Sequence, residues 1–234
     1  MGRKSFKAGA LTAPVPPVMV TVGDMEVSNI LTIGWTGILS TIPPRTYISV
    51  RPQRHSYKLL KSTGEFVINL TKADQAKVVD YVGIYTGAKV DKFKECKLTK
   101  LASKEVKAPT IAECPLALEC RVIEVIPMGT HDVFIADIVS VSCDDSILDD
   151  AGKIRFDKAG LMAYAHGEYF ALGEKVGKFG FSTNKVEKRP KAPKTVPAQK
   201  EAKSDTQTEE KKKRPFYLDA PRGKGKQKGR GKKR

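Results

Sequence analysis

The run 131–145, HDVFIADIVSVSCDD, constrains the fold more than any other part of the sequence. Apolar residues occupy both sets of alternating positions, with Val133 and Ile135 on one face and Phe134 and Ala136 on the other. A strand that is apolar on both faces must be covered on both. The run is therefore predicted to lie inside a closed sheet and not at a solvated edge.

Other short β-rich runs, bounded mostly by Gly, Pro and Asp, occupy much of the chain before residue 170. With the strand 132–143, they predict strands at 17–22, 30–36, 46–50, 65–70, 116–126 and 164–169. Helices are predicted at 56–62 and 75–83, and these do not alternate regularly with the strands. Many strands with few helices favour a barrel or a sandwich over a doubly wound fold.

The basic character of the chain is concentrated at its C-terminal end. Residues 185–234 hold 19 Lys and Arg against 6 Asp and Glu, in a chain whose formal net charge is +16. The same segment has few apolar residues, so that burial cannot offset the entropy lost on ordering. We predict one folded domain, residues 1–184, followed by a disordered basic tail, residues 185–234.

Metal and membrane functions find little support in the composition. The cysteines, Cys96, Cys114, Cys120 and Cys143, form no CxxC pair, and with 3 histidines in the chain a zinc site is not expected. We assign these thiols no role and expect them to be reduced. An apolar stretch of the roughly 20 residues that span a bilayer is not found, and no signal-like region opens the sequence. A cytoplasmic location is expected.

A candidate phosphate site lies in the segment 49–57, SVRPQRHSY, where a predicted strand ends and a helix begins. Arg51 and Arg54 offer bidentate donors, Ser56 offers a hydroxyl, and the helix start offers free N–H groups. This combination suits a phosphate monoester. The alternative, a solvated basic turn with Ser56 as a helix N-cap, is equally compatible with the spacing.

A second segment, 29–37 or NILTIGWTG, is suited to contact a planar ring. Its glycines admit close backbone approach, while Trp35 and Thr36 offer a flat face and a hydroxyl. Alternatively, Trp35 is a core aromatic. The sequence has neither GxGxxG after a strand nor GxxxxGK[ST], so a phosphate-bearing cofactor would bind in another way.

Five blocks in a fixed order resemble the flavin reductase-like, FMN-binding split β-barrel family, which includes flavoredoxins and the reductase components of two-component monooxygenases. The blocks are 16–23, 29–40, RPQRHSYKLLKSTGEFVINL from Arg51, GTHDVFIADI from Gly129 and HGEYFALG from His166. The resemblance spans about residues 10–175. It implies a mainly β, Greek-key-like split barrel with a few helices, and a homodimer that binds FMN near the subunit interface.

The resemblance also implies which residues form the site. It places the flavin phosphate at Arg51, Arg54 and Ser56, and the ring near Asn29, Trp35, Thr36 and Ser49. A second cofactor-facing loop would begin at Tyr85. The full set of expected cofactor-binding residues is Asn29, Gly34, Trp35, Thr36, Ser49, Val50, Arg51, Gln53, Arg54, Ser56, Tyr85, Thr86, Gly87 and Lys92.

The candidate catalytic residues are His131 and His166, which stand where similar reductases meet the nicotinamide nucleotide or line the flavin. The alternative is that each is a structural histidine. A general base is not strictly required, because a flavin carries the hydride chemistry itself and the protein supplies orientation and access.

The function that the resemblance implies is an FMN-binding oxidoreductase that accepts a hydride from NAD(P)H. Electrons would then pass from the reduced flavin to a partner protein or a diffusible acceptor. One alternative is a non-enzymatic electron-transfer protein of the flavoredoxin kind. Another is a nucleic-acid-associated protein acting through residues 190–234, whose closely spaced Lys and Arg can neutralise phosphates. The tail could equally be a solubilising extension or make a loose electrostatic contact with anionic surfaces.

Overall fold

The computed structural model of the chain describes residues 2–183. One compact unit ends at Phe179, and the described residues after it form a short 3₁₀ turn at Phe181–Thr183. The predicted tail, residues 185–234, lies outside the described residues.

Strands make up most of the regular structure. They are β1 Val18–Gly23, β2 Ser28–Ile33, β3 Thr36–Thr41, β4 Pro44–Val50, β5 Glu65–Leu70, β6 Lys100–Leu101, β7 Thr110–Ile111, β8 Leu116–Pro127, β9 Asp132–Cys143, β10 Met162–Ala165 and β11 Glu168–Ala171. The α-helices are α1 Ser56–Thr63, α2 Ala76–Ile84 and α3 Lys92–Glu95. Further 3₁₀ turns lie at Ala73–Gln75, Asp145–Ile147 and Phe156–Lys158.

Seven strands form one antiparallel sheet in the order β2-β1-β5-β8-β9-β4-β3. Its two edge strands, β2 and β3, are joined by only Gly34 and Trp35. Because consecutive residues cannot span an open seven-stranded sheet, the sheet must curl until its edges meet. The N–H of Ser49 on β4 donates to the carbonyl oxygen of Trp35 at 3.0 Å and so extends the β3–β4 pairing into this connection. The predicted mainly β split barrel is thereby confirmed, with β9 inside the sheet between β8 and β4.

Strand β1 shows why the sheet is covered on both faces. All six of its residues are buried. Val20 packs inside the barrel with Phe66 and Phe134, whereas Met19 packs on the outer side with Val79 of α2. Burying each such side chain contributes about 1.5–3 kcal/mol. Helix α2 is therefore held against β1 and β2, beside the site described below.

Two of the predicted elements differ from the structure. The strand predicted at 164–169 is a hairpin, β10–β11, because His166 and Gly167 form its turn with φ of 47° and 98°. The strand predicted at 30–36 ends at Ile33, and the chain continues in β3 at the opposite edge of the sheet. The predicted helices at 56–62 and 75–83 are confirmed as α1 and α2. The short elements β6, β7 and α3 were not predicted.

Candidate functional site

Two adjacent cavities lie on the side of the barrel that faces α1 and α2. The large cavity has a volume of about 400 Å³ and the small cavity about 130 Å³. Leu31 and Arg54 line both, so the two cavities meet at these side chains.

The small cavity lies at the start of α1. This helix begins without a side-chain cap and without an acidic residue in its first turn, so its positive end is left for an anion. Asn29 donates through Nδ2 to Oγ of Ser56 at 2.7 Å, and both side chains are buried. Since the Ser56 oxygen accepts this bond, its own proton is directed elsewhere. The cavity therefore presents hydroxyl, backbone and guanidinium donors together.

The loop after α2 forms the facing wall of the small cavity. Tyr85, Thr86 and Gly87 line it. A Cβ atom at Gly87 would lie 2.3 Å from Oδ1 of Asn29, which is far inside contact distance. Only glycine lets this loop approach Asn29 without displacing it.

Lys92, at the start of α3, is a buried cation on the same wall. Its Nζ donates to the carbonyl oxygens of Ile30 at 2.7 Å and Val82 at 2.8 Å, which ties β2 to α2. The side chain makes no ion pair within residues 2–183. Burial, followed by the charge of Arg54, lowers the pKa of Lys92 to about 8. An anion in the small cavity would supply the missing countercharge.

The large cavity lies between two groups of elements. Residues of β2, the closing turn and the end of β4 form one wall, while α2 and the β10–β11 hairpin form the other. Gly83 keeps α2 near β2, since a Cβ there would lie 3.3 Å from Cβ of Thr32. The residues that line the large cavity are Pro17, Leu31, Thr32, Ile33, Gly34, Trp35, Ser49, Val50, Arg51, Arg54, Asp80, Gly83, Ile84, His131, Tyr164 and Tyr169.

His131 lies in the loop between β8 and β9 and lines the large cavity, within electrostatic reach of Arg51 and Arg54. Its Nδ1 is 2.9 Å from Oγ1 of Thr130. Partial burial lowers the pKa of His131, and the charges of Arg51 and Arg54 lower it further. The imidazole is therefore neutral at pH 7, when it can donate or accept one hydrogen bond at each nitrogen according to its tautomer.

Most of the sequence-predicted residues line one of the two cavities. Those in the small cavity are Asn29, Gln53, Arg54, Ser56, Tyr85, Thr86, Gly87 and Lys92, and those in the large cavity are Gly34, Trp35, Ser49, Val50, Arg51, Arg54 and His131. Thr36 lines neither, because its hydroxyl donates to the carbonyl oxygen of Tyr47 within the β3–β4 hairpin. His166 is exposed at the β10–β11 turn, away from both cavities of its own chain. Its predicted role stays a prediction.

Sequence reasoning missed the outer wall of the large cavity. Asp80, Gly83 and Ile84 lie on one face of α2 at i, i+3 and i+4 spacing, a signal that was available in the predicted helix. Tyr164 and Tyr169 could not be identified from the sequence in this way, because they face one another only when residues 164–169 fold as a hairpin.

The described part of the chain offers neither a metal site nor a membrane-spanning helix. No group of three or more His, Cys, Asp or Glu in residues 2–183 is arranged to hold a metal ion. No helix in that range is long and apolar enough to cross a membrane. All four cysteines are free thiols.

Comparisons with known proteins identify the family and the fold. The model of the flavin reductase like domain matches residues 11–173. An uncharacterised protein of Archaeoglobus fulgidus is 33% identical over 135 residues, which cover 58% of this chain and 76% of that protein. The flavoredoxin of Desulfovibrio vulgaris (Miyazaki F) superimposes with a TM-score of 0.72 and 31% identity, covering 78% of this chain and all of the flavoredoxin.

A third likeness concerns the fold alone. The FMN-binding protein of Thermus thermophilus, solved with bound 1-cyclohex-2-enone, has a TM-score of 0.64 and 24% identity. The superposition covers 76% of this chain and 97% of that protein. The same barrel fold thus occurs in an FMN-binding protein of low sequence identity to this chain.

Proposed function

Because the chain belongs to the flavin reductase-like domain family, we propose that it is an FMN-binding oxidoreductase that accepts a hydride from NAD(P)H. The single observation that carries the proposal is the pair of cavities that meet at Arg54, a small one lined by anion donors and a larger one between β2 and α2. Bound FMN would take up the hydride and then pass its two electrons to a partner protein or a diffusible acceptor.

The small cavity fits the phosphate of FMN. A phosphate monoester carries close to two negative charges at pH 7. Arg54, Lys92, Ser56 and the first turn of α1 would hold it, and the buried charge of Lys92 would gain the countercharge that it lacks. The cavity is too small to accommodate the ring as well, so the ring belongs in the large cavity.

The large cavity would hold the isoalloxazine ring and leave one face open to the hydride donor. Backbone at Gly34 and the side chains of Ser49 and Trp35 would contact the ring. His131 would supply a neutral hydrogen-bonding group beside it, while Arg51 would attract the diphosphate of the donor. These residues bind, orient and exclude water, and none must act as a general base.

The similarity to a flavoredoxin favours a second candidate, a flavin-binding electron carrier that is reduced by another protein. The two candidates differ in what reduces the flavin. Anaerobic mixing of the FMN-loaded protein with NADH or NADPH should bleach the flavin band near about 450 nm if the chain is a reductase. Bleaching that needs an added reductase protein would support the carrier, and the hydride-transfer proposal would then fall.

We further propose that the chain acts as a homodimer. The edge strand β3 and the turn after it expose Ile38, Leu39 and Ile42, at 62%, 51% and 89%. An edge strand with exposed apolar side chains is a natural site for pairing with another chain. Since β3 follows directly on Gly34 and Trp35, such an interface would lie beside the large cavity.

The predicted contact of residues 190–234 with nucleic acid stays a prediction, as does the cytoplasmic location. The charge of the segment supports the first. Retention on RNA or DNA at low salt, measured with the full chain and with a chain ending at residue 189, tests it independently of flavin content.

A further inference from the structure

Side chains of both charges line the large cavity. Arg51 and Arg54 are the cations, and the neutral His131 lines the cavity with them. Asp80 lines the wall formed by α2 and makes no ion pair within the described residues. An anionic ligand alone would gain nothing from this carboxylate, so its position on the cavity wall calls for a ligand that also carries N–H or O–H donors.

Asp80 is held in place by the β10–β11 hairpin, which forms the same wall of the large cavity. Tyr169 on β11 donates its hydroxyl to Oδ1 of Asp80 at 3.2 Å, across 89 residues of sequence. Burial and then the neighbouring carboxylate raise the pKa of Tyr169 to about 12, so the hydroxyl keeps its proton and stays a donor. The Tyr164 ring lies 5.3 Å from the Tyr169 ring and closes the wall. The carboxylate retains free acceptor sites, since an ionised carboxylate accepts about four hydrogen bonds.

A reduced nicotinamide nucleotide has the matching pattern of groups. Its diphosphate is anionic and its carboxamide carries two N–H donors on a planar ring. We propose that Asp80, positioned by Tyr169, accepts a hydrogen bond from the carboxamide of the nicotinamide while the diphosphate lies toward Arg51 and His131. Asp80 is then a specificity-determining residue for the electron donor, and this inference depends on the proposed reductase function.

The charge of Asp80 gives the proposal a sharp test. Replacing the carboxamide by a carboxylate removes the donor and places two like charges together, which is unfavourable. NAD⁺ and its nicotinic acid analogue differ in this group alone and can both be measured as inhibitors competing with NADH. The ratio of their inhibition constants is insensitive to a general loss of activity.

The experiment uses the full chain loaded with FMN, as wild type and as Asp80→Asn, Tyr169→Phe and Asp74→Asn. Asp74 precedes α2, is exposed and lines neither cavity, so its variant is the matched control. Wild type and the control should bind NAD⁺ at least about tenfold more tightly than the acid analogue, as one charge-assisted hydrogen bond implies. In Asp80→Asn the ratio should fall to about threefold or less and the KM for NADH should rise about tenfold, with kcat changed less than twofold. Tyr169→Phe should show the same changes at smaller size.

Three results would overturn the inference. A ratio unchanged in Asp80→Asn shows that the carboxylate does not meet the carboxamide. A weakened affinity for FMN with an unchanged ratio assigns Asp80 to the flavin instead. Wild-type protein that neither binds nor oxidises NADH defeats the proposed reductase function together with this inference, whereas the first two results leave that function standing.

Discussion

Arg54 donates through Nη1 to the carbonyl oxygen of Gly83 at 2.9 Å, and this bond places its guanidinium between the two cavities. The contact joins the start of α1 to the last turn of α2. A guanidinium held in this way keeps further donors free, because it has five N–H groups. Arg54 can therefore reach a phosphate in the small cavity while it fixes the separation of the two helices.

Replacing Arg54 by alanine is expected to separate phosphate binding from ring binding. The FMN dissociation constant should rise about 10- to 100-fold, since a charged hydrogen bond is worth about 1.5–3 kcal/mol. Riboflavin lacks the phosphate, so its dissociation constant should rise less than about threefold in the same variant. Fluorescence titration measures both. Lys58→Ala, on the exposed face of α1, is the control and should change neither constant; equal losses for both flavins in Arg54→Ala would contradict the assignment.

Gly87→Ala should disrupt the small cavity through Asn29. The new methyl group would fall 2.3 Å from Oδ1 of Asn29, which must move and give up its hydrogen bond to Ser56. Overpacking of this kind costs about 1–3 kcal/mol. We expect a lower thermal midpoint and weaker FMN binding. Gly173→Ala, whose Cβ meets nothing within 4 Å, should behave as wild type. Unchanged FMN affinity in Gly87→Ala would mean that the loop does not shape the site.

FMN affinity should fall as the pH rises from 7 to 9. The cationic form of Lys92 favours an anion, and its pKa is about 8 because burial disfavours the charge. Above this pH an increasing fraction of the free protein has a neutral Lys92. FMN binding to that fraction must be accompanied by proton uptake, and the FMN affinity therefore declines. Of the neighbouring groups, His131 has a lowered pKa and is already neutral at pH 7, and guanidinium groups keep their charge throughout. Burial raises the pKa of the Cys96 thiol, which keeps it neutral here.

Lys92→Met is the matched variant for this pH profile. It should bind FMN about tenfold more weakly at pH 7, since a charged hydrogen bond is lost. Its affinity should be flat between pH 7 and 9. Titration of the flavin-free proteins at several pH values checks this, with circular dichroism to show that the variant is folded. A decline that persists in Lys92→Met would assign the pH dependence to another group.

The buried thiols should be inert in the native protein. Burial raises the pKa of Cys114 to about 12 and also raises the pKa of Cys120. Because the thiolate is the reactive form, a thiol reagent at pH 8 should label neither residue until the chain is unfolded. Mass spectrometry of the labelled protein identifies the sites. Rapid labelling of Cys114 in folded protein would contradict its burial.

The proposed dimer should depend on the apolar side chains of the β3 edge. Ile38 is 62% exposed in the single chain, so Ile38→Lys would place a charge in the proposed interface. The substitution should convert the dimer to a monomer. Light scattering after size-exclusion chromatography measures the mass. Leu101→Lys, exposed to 48% on β6, is the control and should leave the mass unchanged. A wild-type mass equal to that of one chain would contradict the dimer.

The predictable part of the site is local in sequence. Arg54 and Ser56 lie at the strand-to-helix junction after β4, and this junction alone brings them to the small cavity, whereas Arg51, also expected at the phosphate, lines the large cavity instead. Asp80 and Tyr169 are different, because their contact requires a hairpin to pack on a helix 89 residues earlier. The spacing of apolar residues along the sequence does not predict such a long-range contact. Barrel closure at Trp35 was missed for a related reason, as a continuous apolar run does not reveal where a strand leaves one edge of a sheet for the other.

Titration of flavin-free protein with FMN and with riboflavin tests the central claim most directly. If the small cavity binds the phosphate, FMN should bind at least about 100-fold more tightly, because two or more charged hydrogen bonds separate the two ligands. Equal affinity for the two flavins, or no uptake of either, would contradict the account.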